Sequence, residues 1–413
     1  MKQIVIAGGG FAGVNAALQL DKNLPKSAEV QITLVNRYPY HLAPAYLYEV
    51  ATSPEELTTM AQLKQSIVLP LDEIFAGARV KVHKAEITQI DAERREVALE
   101  GGKLNYDYLV LALGSTSNFY GIPGADKYAI PLKTLRDSLA VRNRIQFLLD
   151  AHRMDMTKKA IRIVVAGGGF AGVELAGELK GLLDFLSWKE NYPRHKLEIL
   201  VVEGTNGLMP GMDEFVGRDV YRRLKSLGCE IMLNSMISSV DENFIEFKGG
   251  EKISYDCLVW TAGVKASQAP FADLSKIDMD RGGRLATNGT FQLEQYPNIF
   301  SAGDEACYLD KKGKPLPGTA RQAIDQGKYI GRALAQIVQN KKPPLYECKT
   351  YGYIVPVGGK WAIFRTPRFY MKGFLPYMAR QIAWFHYFWT IVGFSRALQI
   401  SILENRLYGR NDD

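Results

Sequence analysis

The sequence predicts an α/β fold in which one doubly wound domain occurs twice and is followed by a C-terminal segment of different composition. The first observation is a repeat, because residues 4–14, IVIAGGGFAGV, recur at residues 163–173 as IVVAGGGFAGV. The second is that YDYLVLALG at residues 106–114 recurs at residues 255–263 as YDCLVWTAG. Since both features recur in the same order, we infer two copies of a whole domain rather than one copied motif.

Each copy begins with a short apolar strand, a glycine-rich turn, a helix and a second apolar strand, which is the pattern of a Rossmann-like βαβ unit. The expected helices are residues 12–22 and 171–183, and the strands that follow them are residues 30–36 and 197–203. Further elements are expected as short strands at residues 81–91, 96–99, 230–240 and 244–247, a strand at 298–302 and a helix at 320–339.

The composition is that of a globular protein, since 47% of the 413 residues are hydrophobic and 23% are charged. The four cysteines stand far apart in the chain without CxxC spacing: Cys229, Cys257, Cys307 and Cys348. This spacing argues against a disulfide framework, a structural zinc site and a reductase with two neighbouring thiols. Cys257 lies inside an apolar strand and is expected to pack as a small hydrophobe.

The C-terminal segment carries the charge imbalance of the chain. Residues 341–413 hold 11 Lys and Arg against 4 Asp and Glu, which equals the formal net charge of +7, and 16 of the 44 aromatic residues. Within them residues 382–394 are apolar and aromatic, but a spanning helix needs about 20 residues. Flanked by Arg380 and Arg396, this segment predicts an amphipathic helix on an anionic membrane surface, with a dimer interface or a core helix as alternatives.

Both glycine-rich turns follow a strand and open a helix, which is the context that gives GxGxxG spacing its meaning. The first glycine permits a tight turn, the second lets the backbone approach a pyrophosphate, and the third lets the helix pack on the strand. Free N–H groups at the positive end of the helix then bind the phosphates. We therefore predict two dinucleotide sites, with turn residues Gly8, Gly10, Phe11, Ala12 and Gly13 in one copy and Gly167, Gly169, Phe170, Ala171 and Gly172 in the other.

The residue at the end of the second strand of each copy is expected to contact a ribose. A carboxylate there accepts hydrogen bonds from ribose hydroxyls. The second copy has Glu203, which would repel a 2′-phosphate and has no arginine after it, so NADH is favoured over NADPH. The first copy has Asn36, whose amide can still hydrogen-bond a ribose. A solvated strand end is the alternative for both residues.

Taken together, the motifs resemble those of a known superfamily, the flavoprotein reductases with two dinucleotide-binding domains. The resemblance rests on both GGGFAG turns, both YDxLV strands and NIFSAGD at residues 298–304. Within it the sequence is most similar to type II NADH dehydrogenases. That narrower match rests on LVNRYPYH at 34–41 with LYEVA at 47–51, GLMPGMD at 207–213 and VWTAGV at 259–264. It covers residues 1 to about 330.

The resemblance implies an enzyme that passes electrons from NADH through FAD to a membrane quinone, and nothing in the chain suggests ion pumping. It implies an FAD-binding domain of residues 1–114 and 265–340, an NADH-binding domain of residues 115–264 and a membrane-association module of residues 341–413. Beyond the glycine turn, FAD contacts are expected at Asn36, Arg37, Ile87, Ala112, Gly114, Gly303, Asp304 and Ala320. Further NADH contacts are expected at Glu203, Ala262 and Gly263.

Two further positions follow from the resemblance. A Glu near the flavin takes part in proton or hydride chemistry in type II NADH dehydrogenases, which implies a catalytic role for Glu174; a helix-terminal residue is the alternative. Glu178, one turn later, is expected to be solvated. The family usually has Ala-Gln-x-x-x-Gln at the quinone, where this chain has Arg321 and Asp325 in place of both Gln.

Quinone contacts are accordingly expected at Arg321, Gln322 and Asp325, although Arg321 and Asp325 are also explained as an ion pair across one helix turn. Arg321 would hydrogen-bond a quinone carbonyl or stabilise a reduced, anionic flavin. Two other functions are left open: a sulfide:quinone oxidoreductase that uses Cys307 and Cys348, and a membrane-recruited sensor that binds FAD and NADH but has another acceptor.

The remaining expectations concern location and partners. The first strand begins within a few residues of Met1, so no secretory signal is expected and the protein is predicted on the cytoplasmic face of the cell membrane. The expected partners are a quinone and anionic lipid, and a homodimer is left open. No nucleic-acid-binding motif accompanies the basic residues.

Overall fold

The computed structural model describes residues 1–54, 58–154, 160–190, 197–349 and 351–408. Parts of the predicted ranges 1–114, 115–264 and 341–413 lie outside the described residues, namely 55–57, 155–159, 191–196, 350 and 409–413. The chain divides into two compact units. The first unit comprises residues 1–42, 68–116 and 264–351, and the second comprises residues 43–67, 117–263 and 352–413.

The helices of the described chain are α1 Phe11–Asn23, α2 Leu47–Ala51, α3 Met60–Ile67, α4 Leu71–Ile74, α5 Ala125–Tyr128, α6 Leu135–Met154, α7 Phe170–Glu190, α8 Glu214–Ser226, α9 Ala320–Val338, α10 Phe374–Val392 and α11 Phe394–Tyr408. The strands are β1 Lys2–Ala7, β2 Val30–Asn36, β3 Tyr40–Leu42, β4 Val68–Pro70, β5 Val80–Lys84, β6 Ile87–Asp91, β7 Glu96–Leu99, β8 Gly102–Asn105, β9 Tyr108–Leu111, β10 Ser115–Ser117, β11 Ile130–Pro131, β12 Ile161–Ala166, β13 Leu197–Val202, β14 Glu230–Met232, β15 Ile237–Val240, β16 Phe244–Phe247, β17 Lys252–Ser254, β18 Cys257–Trp260, β19 Val264–Ala266, β20 Leu285–Ala286, β21 Ile299–Ser301, β22 Ala306–Cys307, β23 Tyr353–Pro356, β24 Ala362–Arg365 and β25 Tyr370–Gly373.

A parallel five-stranded sheet with the order β21-β9-β1-β2-β5 forms the centre of the first unit. Its central strands are buried on both faces, which suits the near-continuous apolar runs of the sequence. Helix α1 packs closely on α9, where a Cβ at Gly327 would lie 2.2 Å from the carbonyl oxygen of Ala12. This glycine therefore fixes the position of α9 beside the first glycine turn.

The second unit contains a parallel sheet with the order β11-β18-β12-β13-β14. Strands β18, β12, β13 and β14 correspond in order and direction to β9, β1, β2 and β5 of the first unit. Each unit also has a three-stranded antiparallel sheet, β6-β7-β8 in the first and β15-β16-β17 in the second. The predicted α/β class with two Rossmann-like domains is confirmed, and the repeat in the sequence is a repeat in the fold.

The C-terminal segment contains more structure than the sequence predicted. Strands β23, β24 and β25 form an antiparallel sheet, and the apolar residues 382–394 are shared between α10 and α11, which are separated by Gly393 at φ 80°. Val355 and Ile363 are buried in the same apolar core as Ala176 of α7. Residues 352–413 therefore belong to the second unit, and the predicted assignment of ranges to ligands stays a prediction.

Candidate functional site

The first glycine turn joins β1 to α1 in the first unit. Gly8 has φ 110°, which only glycine adopts readily, and a Cβ at Gly13 would lie 1.9 Å from the Gly8 carbonyl oxygen. A Cβ at Gly10 would meet no atom within 4 Å, so packing alone does not require glycine there. Open space next to the first N–H groups of α1, with Phe11 and Ala12 as its first residues, fits a pyrophosphate of the predicted FAD.

The second glycine turn joins β12 to α7 and has the same geometry. Gly167 has φ 108°, a Cβ at Gly172 would lie 1.9 Å from the Gly167 carbonyl oxygen, and a Cβ at Gly169 would meet nothing within 4 Å. Phe170 and Ala171 open α7 as Phe11 and Ala12 open α1. Two turns of the same shape therefore present helix N–H groups to open space, as the repeat predicted.

The residue at the end of the second strand holds the glycine turn in each copy. The side-chain oxygen Oδ1 of Asn36 accepts from the N–H of Gly9 at 2.9 Å, and Oε2 of Glu203 accepts from the N–H of Gly168 at 2.7 Å. Glu203 Oε1 also accepts from the N–H of Thr205 at 2.8 Å. A carboxylate has about four acceptor positions, so Glu203 keeps capacity for ribose hydroxyls. Only 7% of Glu203 is exposed, which excludes the alternative that it is a solvated residue at the end of a strand.

His41 is a buried residue whose role the sequence did not indicate, although it lies in the LVNRYPYH segment at residues 34–41. Its Nδ1 lies 2.9 Å from the Gly9 carbonyl oxygen, and its ring packs edge-on against Phe11. Because a carbonyl only accepts, Nδ1 carries the proton. Burial lowers the pKa of His41 to about 4, so the ring is neutral at neutral pH. Asn36 and His41 thus hold the Gly9 peptide from both sides.

We expect His41 to make the fold sensitive to acid. Its pKa is about 4 in the folded chain and 6.5 when exposed, so between these values the unfolded chain binds more protons and stability falls as pH falls. The full loss in the free energy of unfolding is about 3 kcal/mol. His41→Asn keeps a donor for Gly9 without titrating, so its stability difference from wild type should shrink as the pH is lowered from 7 to 4 in urea titrations. His83→Asn, at an exposed position on β5, is the control. A pH-independent difference would contradict this role.

Gly303 and Asp304 lie at the end of β21 in a cavity of about 590 Å³, which is within the range of ligand sites. Gly303 has φ 75°, and its N–H donates to Oε1 of Gln326 at 2.7 Å. The Asp304 carboxylate accepts from the hydroxyl of Ser115, which also lines the cavity. A carboxylate that opens into a cavity of this size fits a polyol such as the ribitol of FAD. Gln326 and Ser115 are contributions that the sequence did not indicate.

Glu305 follows Asp304 but is 1% exposed. Its Oε2 accepts from the N–H of Leu113 at 2.8 Å, next to Ala112 and Gly114 at the end of β9. Burial raises the pKa of Glu305 to about 8, so this carboxyl is protonated at neutral pH. Glu305 thus fixes the loop after β9 without adding a negative charge beside Asp304.

The other predicted FAD contacts lie in the first unit. Arg37 forms an ion pair with Glu86, and Ile87 begins β6 directly after it. Ala320 is the first residue of α9, and the hydroxyl of Thr319, the N-cap residue before it, accepts from the N–H of Gln322 at 3.2 Å. Ala112 is buried against the first turn, because a Cβ at Gly8 would lie 2.2 Å from its carbonyl oxygen. None of these placements by itself identifies a ligand.

The predicted acceptor residues on α9 are arranged differently from a simple ion pair. The Asp325 carboxylate accepts from the hydroxyl of Tyr346 at 2.7 Å, and Gln322 Nε2 donates to the same hydroxyl at 3.2 Å. The guanidinium of exposed Arg321 lies 4.8 Å from the ring centre of Tyr351. Tyrosines from residues 341–351 therefore contact both side chains, in addition to whatever the spacing of four residues favours. No pattern in the sequence indicates these contacts.

A cluster of buried charge surrounds Arg380 in the second unit. Arg380 Nη2 lies 2.9 Å from Glu49 Oε1. Burial raises the pKa of Glu174 to about 8, opposed by Arg380 and reinforced by the negative charge of Glu49. Glu178 lines a small pocket with Arg380 and is 6% exposed, so the prediction that it is solvated was wrong. Arg380 of helix α10 supplies the cation that allows the carboxyls of Glu49 and Glu178 to be buried together.

Ala262 and Gly263 follow β18 in the second unit. A Cβ at Gly167 would lie 2.5 Å from the Cα of Ala262, so this segment passes directly beside the second glycine turn. The hydroxyl of Thr261 donates to the carbonyl oxygen of Ala166 at 2.8 Å and joins the ends of the two strands. The predicted residues Gly167, Gly169, Glu203, Ala262 and Gly263 thus converge at one edge of one sheet.

Comparison with known proteins gives the family. Residues 2–327 match the family described as pyridine nucleotide-disulphide oxidoreductase. The chain belongs to this family.

Among curated proteins, the type II NADH:quinone oxidoreductase of Staphylococcus haemolyticus (strain JCSC1435) is 25% identical over 363 residues, which cover 86% of this chain and 88% of that protein. Among solved structures, NDH2 from Plasmodium falciparum in complex with NADH superimposes with a TM-score of 0.85 at 19% identity, covering 99% of both chains. The sulfide:quinone oxidoreductase of the hyperthermophilic bacterium Aquifex aeolicus gives 0.77 at 18% identity, covering 98% of this chain and 95% of that chain. Both structures share the fold.

The four cysteines of the chain do not form a disulfide. Cys229, Cys257 and Cys307 are buried and Cys348 is exposed, and all four are free. Cys257 packs in the core of the second unit, as predicted. Burial raises the pKa of Cys307, and partial desolvation together with the negative charges of Asp310 and Asp325 raises that of Cys348. Both shifts disfavour the thiolate that a nucleophile needs. Within the described ranges, no group of three or more His, Cys, Asp or Glu is placed to hold a metal ion.

Proposed function

We propose that this protein is an NADH:quinone oxidoreductase that passes two electrons from NADH through FAD to a quinone, without ion pumping. The observation that carries the proposal is the pair of glycine turns with matching geometry, one in each unit. The sequence similarity to type II NADH:quinone oxidoreductases over most of both chains supports the reaction. The overall balance is NADH, a proton and a quinone giving NAD⁺ and a quinol.

The residues of the first unit suit FAD. When bound, FAD would accept a hydride from NADH and return the two electrons to a quinone. The turn Gly8–Gly13 would bind the pyrophosphate, Asn36 with Arg37 would lie at the adenosine end, and Asp304 would accept from the ribitol. Ile87, Ala112, Gly114, Gly303 and Ala320 would line the site, an assignment that stays a prediction.

The second unit would bind NADH at the edge where Gly167, Gly169, Gly172, Ala262 and Gly263 converge. Glu203 would accept from the adenosine ribose and would exclude NADPH by repelling its 2′-phosphate. Because this carboxylate is buried and anchored to the turn, it cannot swing away from a phosphate at low cost. NADH should therefore be strongly preferred.

The acceptor step requires a proton and a group that binds a quinone oxygen. Glu174, with a pKa of about 8, would hold a proton at neutral pH and is our candidate acid. Arg321 would donate to the quinone carbonyl, since it is exposed and its guanidinium is oriented by Tyr351. Asp325 and Gln322, both hydrogen-bonded to Tyr346, would fix this end of α9.

The C-terminal helices carry an apolar surface suited to the plane of a membrane. Exposed apolar side chains recur at helical spacing in both helices: Phe374, Leu375, Met378, Ile382 and Trp389 in α10, and Phe394, Leu398 and Ile402 in α11. Among the described residues, no helix has the length and hydropathy that crossing a bilayer requires. We propose that this surface lies on anionic lipid. The cytoplasmic face and a homodimer stay predictions.

The function is tested by anaerobic stopped-flow measurement of flavin absorbance in the purified protein. We expect rapid bleaching by NADH, bleaching by NADPH at least ten-fold slower at equal subsaturating concentration, none by sulfide, and recovery when a soluble quinone is added. A Cys307→Ser, Cys348→Ser double variant should behave like wild type, because neither thiol is required. Leu375→Glu with Ile382→Glu should slow recovery only when the quinone is embedded in anionic vesicles.

Two outcomes would contradict the proposal. Bleaching by sulfide that the double cysteine variant abolishes would identify a sulfide:quinone oxidoreductase. Bleaching by NADH without recovery on any quinone would identify a sensor or an enzyme with another acceptor.

A further inference from the structure

The order of strands in the second unit sets the direction of the bound dinucleotide. Glu203 follows β13, the second glycine turn follows β12, and Gly263 follows β18, and these three strands are neighbours in the order β18-β12-β13. If Glu203 binds the adenosine ribose and the turn binds the pyrophosphate, the other half of NADH must extend toward Gly263. This direction rests on the proposed function.

Tyr120 covers that position. Its side chain packs so closely on Gly263 that a Cβ there would lie 2.2 Å from the tyrosine hydroxyl oxygen. The same hydroxyl donates to the Ala262 carbonyl oxygen at 3.3 Å, which is a long hydrogen bond. Yet 61% of Tyr120 is exposed, so most of its ring is free to contact another molecule.

The backbone of Tyr120 is in an unfavourable conformation that its neighbours impose. Its φ is 54°, in the left-handed region that bulky side chains rarely adopt. Asn118 holds this backbone, since its Oδ1 accepts from the Tyr120 N–H at 2.9 Å. Asn118 is itself held in place, because its N–H donates to the Gly263 carbonyl oxygen at 3.0 Å and its carbonyl oxygen accepts from Trp260 Nε1 at 2.8 Å. Strain of this kind, held in place at a strand end, is typical of ligand sites.

We propose that Tyr120 is a positioning residue for NADH whose exposed ring packs against the nicotinamide riboside half of the dinucleotide. An aromatic face with a hydroxyl at its edge suits a flat heteroaromatic ring attached to a sugar. Because Asn118 fixes the backbone, the ring is presented before the ligand arrives. Sequence reasoning missed Tyr120, since it stands outside both repeated motifs.

The test compares NAD⁺ with ADP-ribose, which lacks the nicotinamide, by calorimetric titration of the FAD-loaded protein. Tyr120→Ala should weaken the binding of NAD⁺ about 3- to 10-fold. Its affinity for ADP-ribose should stay within about two-fold of the wild-type affinity. Tyr120→Gly should weaken NAD⁺ equally while its thermal unfolding temperature does not fall, because glycine relieves the left-handed backbone. Arg95→Gly, at φ 55° in the first unit, is the matched control and should change the affinity of neither ligand.

Equal affinity of wild type and Tyr120→Ala for NAD⁺ would overturn the inference. So would an equal loss for NAD⁺ and ADP-ribose, which would indicate a structural role at the strand end. A wild-type protein that binds neither ligand would instead contradict the proposed NADH site, and this inference with it.

Discussion

Gly13→Ala should yield protein without FAD, and Gly172→Ala should yield FAD-containing protein that binds NADH poorly. In each copy the new Cβ would lie 1.9 Å from the carbonyl oxygen of the turn's first glycine, Gly8 or Gly167. The backbone must therefore shift by more than 1 Å, and the N–H groups that face the open space shift with it. We expect each change to lower the free energy of unfolding by about 3 kcal/mol. Each should also weaken the binding of the ligand at its own turn at least ten-fold.

The measurements are the FAD-to-protein ratio by absorbance and the affinity for NAD⁺ by calorimetry. Gly249→Ala is the control, because a Cβ in that hairpin turn meets nothing within 4 Å. If Gly172→Ala lost FAD and Gly13→Ala kept it, the two cofactor assignments would be reversed. If both variants kept both ligands, neither turn would be a nucleotide site.

Arg380→Met should destabilise the second unit by about 3–5 kcal/mol, because it removes the cation and leaves buried carboxyls without compensation. Arg380 is 4% exposed, its Nη2 lies 2.9 Å from Glu49 Oε1, and its guanidinium lies 5.0 Å from the ring centre of Tyr46. Methionine fills similar volume without the charge. We expect the thermal unfolding temperature to fall by about 10 °C.

The double variant Arg380→Met, Glu49→Gln separates charge from packing. Neutralising Glu49 removes one carboxylate that Arg380 compensates, so the double variant should be about 2 kcal/mol more stable than Arg380→Met alone. Urea titrations or, if unfolding is irreversible, unfolding rates supply the comparison. A double variant no more stable than the single one would show that Arg380 contributes packing rather than charge compensation.

Local sequence patterns were sufficient for the central sheets. An apolar strand followed by GGGFAG predicts a strand, a turn and a helix, because these three elements are adjacent in the chain. The repeat shows that the pattern occurs twice. For the same reason β2 was predicted at residues 30–36 and is Val30–Asn36. The ends of helices were less accurate, since α7 continues to Glu190 where the apolar periodicity predicted 183.

Contacts between segments that are distant in the chain could not be predicted from the sequence. Glu178 was predicted solvated because one helix turn shows neither Arg380 nor Glu49, which are about 200 and 130 residues away. The spacing of four residues on one helix favours an ion pair between Arg321 and Asp325. The contacts of Tyr346 with Asp325 and of Tyr351 with Arg321 could not be predicted, because both tyrosines lie in an irregular segment after the helix.

The sequence by itself determined the duplicated α/β fold, the two glycine turns, and the strand-end residues Asn36 and Glu203, because short-range geometry dictates all of them. Only the tertiary structure decided which carboxyls are neutral. Glu174 and Glu305 owe their raised pKa to burial, and burial depends on elements that no local pattern reveals. The position of Tyr120 on Gly263 has the same origin, since folding brings together residues 143 positions apart.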